Sequence, residues 1–480
     1  MNKILFPIIT LLIFISSNSL FSQKLDIITR EIGFGSERTS SISYADIDND
    51  GDNDIIIANG RHWPGQNKIL FNNGIGGFTI EKNLGDYRST SYAAEVGDIN
   101  GDGFLDIVVG NDKAPNNIFL NDGEGNFFLN GSFGRNNSNT RNLNLNDIDD
   151  DGDLDIIITN RVESNEICLN DGEGNFSEII LFGSKNDATI DVELFDINSD
   201  GYKDLILANR NNQSNYIYLN NGKLGFNEKI LFGTGNDNTR SLQLDDFNLD
   251  GYIDIAVANI NEANVIYFGD KDLKFKKGIV FDTSLSSSFS ITSDDFDNDG
   301  DPDIAIGNSP GKNFIFLNLN NGENWQQIIL SKKLNRTYDI ISFDLNDDGN
   351  IDIIEANSDE TNYHHIIKNW KMKKILIVTL SFLSLSLNSQ INLKYLGTAG
   401  WKISDDKVTV LIDPYISRVK LGTGHPDDDR ETVLRSDYYE SDTILIDSLV
   451  DKVDFILVHH SHFDHLADVP YIAKKTRAKV

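Results

Sequence analysis

The chain has 480 residues, a formal net charge of −32 and one cysteine. So acidic a chain is a poor nucleic-acid binder, since phosphate contacts require clustered Lys and Arg, and a single thiol excludes an intrachain disulfide. A hydrophobic content of 39% with 28 Phe excludes a disordered polyelectrolyte, so the acidic surplus needs a structural cause.

Residues 1–22 read as an export leader: Lys3 supplies the charge, Ile4 to Ile15 the apolar core and Ser16 to Ser22 the polar exit. The apolar run is shorter than the roughly 20 residues of a membrane span, and no Cys follows it to carry a lipid. The expectation is a secreted, periplasmic or cell-surface protein with no membrane span after the leader.

From residue 46 onward the pattern D-x-[DN]-x-D-G-x-x-D occurs seven times, at intervals of 49–52 residues. The loops carry Asp46, Asp48, Asp50 and Asp54; Asp98, Asn100, Asp102 and Asp106; Asp147, Asp149, Asp151 and Asp155; Asp196, Asn198, Asp200 and Asp204. They continue with Asp246, Asn248, Asp250 and Asp254; Asp295, Asp297, Asp299 and Asp303; and Asp344, Asn346, Asp348 and Asp352. A hard cation such as Ca²⁺ takes about 6–8 oxygen ligands from a flexible loop. Positions 1, 3, 5 and 9 offer side-chain oxygens, position 7 a carbonyl, and Gly at 6 permits the turn. An EF-hand would close with Glu at position 12 between helices, so this is another kind of loop. A polar turn between strands is the plainer reading; seven copies in one register favour calcium. Seven dications would bring the formal charge from −32 to −18.

Between loops the chain is strand-like. Each loop leads into an apolar run such as Asp54–Asn59 or Asp155–Asn160, then a strand such as Lys68–Asn72, then a Gly-rich turn such as Asp122–Phe127. An aromatic at Phe78, Phe127, Phe176, Phe226, Phe275 or Trp325 is expected to open the next strand. A final alternating strand, such as Leu143–Asn146, reaches the next loop. Four short strands in about 50 residues make one propeller blade. The fold class is all-β, a seven-bladed β-propeller over residues 23–370. The seventh blade lacks a strand, and Ile28 to Gly35, aligned with Phe176 to Gly183, is expected to fill it and protect the sheet edge. Cys168 lies in an apolar stretch and reads as a small buried hydrophobe. A Thr or Ser stands seven residues before each loop: Thr39, Ser91, Thr140, Thr189, Thr239, Ser288 and Thr337. Arg38, Arg141, Arg240 and Arg336 lie beside four of them. These hydroxyls serve either local backbone bonding or a ligand-binding ring at the channel mouth.

Over about residues 24–370 these motifs resemble the FG-GAP/VCBS repeat propellers. The resemblance implies a ring stiffened by about seven calcium ions and a surface that binds an extracellular protein or carbohydrate. Nothing outside the repeat pattern marks an enzyme there.

Met372 to Gln390 has a second leader pattern. Its apolar run is too short for a span, and its flanking lysines would sit on the wrong side of a membrane. Either this is a linker, or two adjacent reading frames are joined. Beyond it, His460, His462, Asp464 and His465 cluster after the apolar run Phe455–Val458. With Gly397 to Trp401 and Asp413 to Arg418, the cluster resembles the metallo-β-lactamase superfamily, and its lactonase and phospholipase D-like members in particular. The resemblance implies one zinc on His460 and His462, a second on Asp464 and His465, Asp464 as the catalytic candidate and Asp413 as an orienting residue behind them. His459 falls outside the pattern. Two metals would lower the pKa of a bridging water. The family takes further ligands from later sequence, so residues 391–480 are expected to form a truncated αββα half, an incomplete metal-dependent hydrolase.

Overall fold

The computed structural model describes residues 25–275, 278–368, 392–397, 400–404, 407–414, 416, 420–421, 432–433, 441–458 and 468–479. The two leader-like segments and all four zinc candidates, His460, His462, Asp464 and His465, lie outside the described residues. The chain divides into two compact units, Met1–Trp370 and Lys371–Val480.

The first unit is a ring of seven four-stranded blades. Five are separate antiparallel sheets, and blades I and VII are joined through the long strand Asp26–Ala45. Each blade starts with an inner strand: Thr39 to Ala45 within that long strand, then Ser91–Gly97, Thr140–Asn146, Thr189–Phe195, Thr239–Asp245, Ser288–Asp294 and Thr337–Phe343. Each inner strand contacts the next, and the last contacts the first.

The second strand of each blade shows why the sequence forms a ring. Asp54–Asn59, Asp155–Asn160 and Asp254–Asn259 are buried at every position. Side chains alternate between the two faces of a strand, so a continuous apolar run must be covered on both sides. Ile55 and Ile57 pack with Phe343, Leu345, Ile354 and Ala356 of blade VII. Ile56 and Ala58 pack with Ile107, Val109 and Phe119 of blade II. One such core fills each of the seven blade interfaces. Cys168 lies fully buried in the core between blades II and III, where burial pushes its thiol up to about 12.

Blade VII is completed by the N-terminal segment, which runs antiparallel from Asp26 opposite Lys368 to Ile32 opposite Asn362. The segment Asp352–Lys368 doubles back: its first part pairs with Thr337–Phe343, and Asn357 N–H donates to Asn362 Oδ1. The register differs by two residues from the sequence alignment. Ile32, not Phe34, stands opposite Asn362 as Phe182 stands opposite Asn165. A shift of two keeps the same face inward, and Ile32 takes the buried seat that Phe182 takes in blade III.

The aromatic after the Gly-rich turn opens its strand only in blade II, at Phe127. In blades I, III, IV and V the strand begins two or three residues later, at Ile80, Glu178, Glu228 and Gly278, and in blade VI it begins at Asn324, one residue before Trp325. The ring of each aromatic serves the core of the preceding interface: Phe176 packs there against blade II, Phe226 against blade III, and Trp325 against Phe247 of blade V.

In the second unit Asn392–Gly397, Gly400–Ser404 and Thr409–Ile412 form an antiparallel sheet, and Phe455–Leu457 pairs parallel with the last of these. Helices Thr443–Leu449 and Val469–Thr476 cover a core of Leu396, Leu411, Ile446, Ile456 and Ile472. Among the described residues no helix is long and apolar enough to cross a membrane.

Candidate metal-binding loops

Each acidic loop joins the inner strand of a blade to its second strand. In all seven, the first Asp accepts the backbone N–H groups of positions 5 and 6 at 2.8–3.1 Å; in the first loop Asp50 N and Gly51 N bond the two oxygens of Asp46. The Gly at position 6 has φ between 80° and 104°. A Cβ there would meet nothing within 4 Å in any loop. The backbone angle, not space, therefore requires glycine.

These bonds account for the turn alone. The remaining oxygens point to a cation. The carboxylates of Asp46, Asp48 and Asp50, of Asp147, Asp149 and Asp155, and of Asp295, Asp297 and Asp299 each bring three oxygens within 4.8 Å of one another. The other four loops carry Asn at position 3, which supplies an amide oxygen in place of one carboxylate. Asp48 Oδ1, Asp254 Oδ2 and Asp297 Oδ2 are buried with no hydrogen-bond partner. A buried, unpaired carboxylate oxygen is costly, and a dication removes that cost. Burial, followed by the charges of Asp299 and Asp295, pushes Asp297 up to about 7. The hard oxygen donors fit Ca²⁺ better than a soft metal.

The Asp at position 9 has a second role that the motif alone did not reveal. It is buried in all seven loops. One oxygen accepts the N–H at the end of the third strand, as Asn72 N to Asp54 at 2.8 Å. The other accepts the N–H of position 2, as Ile47 N to Asp54 at 3.3 Å. Burial pushes Asp54 up to about 7 and Asp303 to about 9. Loops V and VII depart from this arrangement: Asp254 Oδ2 has no hydrogen-bond partner, and Asp352 Oδ2 bonds His364 Nε2 and Asn346 Nδ2, each at 2.8 Å.

A second set of residues couples the loops to their neighbours. The Asn ending the third strand donates its side chain to the position 2 carbonyl of the preceding loop: Asn121 to Ile47 O, Asn170 to Ile99 O, Asn318 to Phe247 O and Asn72 to Leu345 O. The sequence signal was the Asn preceding each Gly-rich turn, which reads there as a turn residue.

The seven Thr and Ser hydroxyls are fully buried. Thr39, Thr239 and Thr337 donate to Asn59, Asn259 and Asn357 and accept from Asn362, Asn215 and Asn313. They bind structure rather than ligand. Of the arginines beside them, Arg38, Arg141 and Arg240 line the channel mouth, whereas Arg336 lies outside that cavity. Arg61, Arg161 and Arg210, which the sequence reading passed over, line the mouth as well.

In the second unit Asp413 follows Thr409–Ile412, is buried, and donates its N–H to Leu457 O at 2.9 Å. It thus stands at the end of a strand whose parallel neighbour leads into the His459 to His465 stretch.

The profile of FG-GAP-like repeats matches six overlapping stretches between residues 46 and 355. The chain belongs to the FG-GAP-like repeat family. A β-lactamase superfamily domain matches residues 392–477. The same region is 36% identical over 90 residues to a UPF0173 metal-dependent hydrolase of Pyrococcus furiosus, covering 19% of this chain and 30% of that protein. The chain thus spans less than a third of the length of this curated relative. Among solved structures, BBS1N in complex with ARL6DN aligns at a TM-score of 0.50 and 13% identity over 73% of this chain and 99% of the other. A second crystal of that complex aligns at 0.49 and 12%, over 72% and 97%. At this identity the likeness concerns the fold alone. The FG-GAP repeats form a propeller of the ligand-binding kind, followed by a metallo-β-lactamase-type segment.

Proposed function

We propose that residues 23–370 act outside the cytoplasm as a calcium-stiffened propeller that binds a protein or carbohydrate ligand. The observation that carries the reading is the buried, partnerless carboxylate oxygen of Asp48, Asp254 and Asp297 in loops I, V and VI, with three carboxylates clustered in loops I, III and VI. The residue 1–22 leader supports export, where calcium is abundant. The expected ligands are the side-chain oxygens of positions 1, 3 and 5, with position 9 closing the site as it also ties the loop to its blade. Thermal melts of the purified chain in calcium and in excess EDTA test this. A large fall in melting temperature with EDTA, reversed by calcium and not by magnesium, is expected. Superimposable melting curves would refute it.

A second reading concerns residues 391–480, because their relative is a metal-dependent hydrolase. His460, His462, Asp464 and His465 are the proposed zinc ligands, and a bound metal would supply a hydroxide at neutral pH. Asp413 would orient a ligand from behind. The segment by itself is expected to bind zinc weakly and to turn over neither lactones nor phosphodiesters, since a catalytic zinc needs a fixed ligand set. Zinc-dependent turnover that disappears in His462→Ala would move the chain's function from binding to hydrolysis.

A further inference from the structure

The mouth of the channel opposite the acidic loops is basic. The inner strands begin at this mouth and run to the loops, seven residues or about 20 Å away. At the mouth lies a cavity of about 420 Å³, within the roughly 300–1,000 Å³ of small-ligand sites. Six arginines line it, Arg38, Arg61, Arg141, Arg161, Arg210 and Arg240, in a chain whose formal charge is −32.

Three of the six are held in place. Arg38 bonds Asp359 at 2.9 Å, Arg141 bonds Asp112 at 2.8 Å, and Arg61 stacks 3.8 Å over Tyr338 while bonding Ser358. The other three are not neutralised. The side chains of Arg161, Arg210 and Arg240 make no hydrogen bond or ion pair among the described residues, and Nε of Arg61, Arg161 and Arg210 is buried without a partner. Asp191 and Asp339 face Arg240, and neither pairs with it. Burial, then the charges of Arg240 and Arg161, pulls Arg210 down to about 10. Among the described residues no carboxylate forms an ion pair with these three cations. Like charges packed in a partly desolvated cavity destabilise the ring, and an oxyanion bound among them removes the repulsion through charge-assisted bonds.

The rim favours a saccharide over a peptide. Trp63 presents its ring with 65% of its surface exposed, 5.8 Å from the Arg38 guanidinium. A peptide strand would need a free sheet edge, and here the inner strands face one another around the ring.

We propose that this mouth binds an acidic saccharide, its carboxylate or sulfate group among Arg161, Arg210 and Arg240 and a sugar ring on Trp63. The proposal rests on the reading of the propeller as a ligand-binding module. Calorimetric titration of the calcium-loaded full chain tests it, with hyaluronan and chondroitin sulfate tetrasaccharides, neutral chitotetraose and tetraglutamate as probes. An acidic tetrasaccharide is expected to bind at least tenfold more tightly than the neutral one, and several-fold more weakly as salt is raised. Arg210→Gln and Arg240→Gln should each weaken it at least tenfold while leaving the melting temperature unchanged or higher. That combination separates lost binding from lost folding. Should either variant melt early, Arg161→Gln gives the same readout from the neighbouring position. Failure of both acidic saccharides to bind, equal binding of the neutral sugar, or tighter binding of tetraglutamate would overturn the proposal. Binding of the neutral sugar or peptide that ignores the arginine substitutions overturns the anion site and leaves the ligand-module reading standing.

Discussion

Thr337 accepts from Asn313 and donates to Asn357, each at 2.7 Å, with its hydroxyl fully buried. Thr337→Val keeps the shape and leaves two buried amides short of a partner. A loss of about 1–3 kcal/mol is expected, read as a lower denaturant midpoint at unchanged slope. The position was legible in the sequence because it recurs at one distance from every loop. Its role was not, because a buried hydroxyl and a ligand-facing one share the same pattern. The mouth arginines show the converse: Arg161 and Arg210 follow the Asn that ends a second strand, and only the ring brings them beside Arg240. Glu95, which lines a second cavity among the inner strands with Asp191, Glu193 and Asp339, gives a prediction of pH dependence. Burial, then Asp339 and Asp191, pushes it up to about 8, and Glu193 is raised by burial as well. The folded ring therefore holds protons that the unfolded chain has released, and its stability falls as pH rises from about 4.5 through about 8. Melts at saturating calcium from pH 5 to 9 should show this fall, and Glu95→Gln should reduce it. An equal fall in the variant would place the titration elsewhere.

At the scale of elements, strand and loop were legible for one reason: the propeller repeats a local unit whose turns carry their own chemistry. The fully apolar second strand announces burial on both faces, and the acidic loop announces its own turn. The contacts between units were not legible. Asn121 reads as a residue before a turn, yet its side chain donates to Ile47 O of the preceding blade and to Leu105 O of its own, at 2.8 and 3.0 Å. The same reason hid the place of Phe176 and Trp325, which the pattern put at strand starts and the structure puts into neighbouring cores. Asn121→Ala is expected to cost about 1–3 kcal/mol, since two carbonyls lose their donor. It should also weaken calcium binding at the first loop more than at the loop of its own blade. A uniform loss across sites, followed by calcium titration of single-loop variants, would show that the side chain serves stability alone.

For the whole molecule, ring closure was legible from a missing strand at one end and a surplus strand at the other. Its register was not, because Ile32 and Phe34 are two residues apart in sequence and either satisfies the alternation. The ring also sets the scale of the calcium effect. A ligand present at about 100 times its Kd adds about 2.7 kcal/mol per site, so a few filled loops rival the roughly 5–15 kcal/mol of a whole domain. The EDTA melt is therefore expected to move by tens of degrees rather than a few. The pairing of Asp26 with Lys368 has a further consequence. The first and last residues of the ring are neighbours across a single pair of strands, so order along the polypeptide and order around the axis are separate properties. A circularly permuted polypeptide, with residues 368 and 26 joined by a short linker and the backbone opened in the turn of residues 221–225, would place every blade beside the same two neighbours.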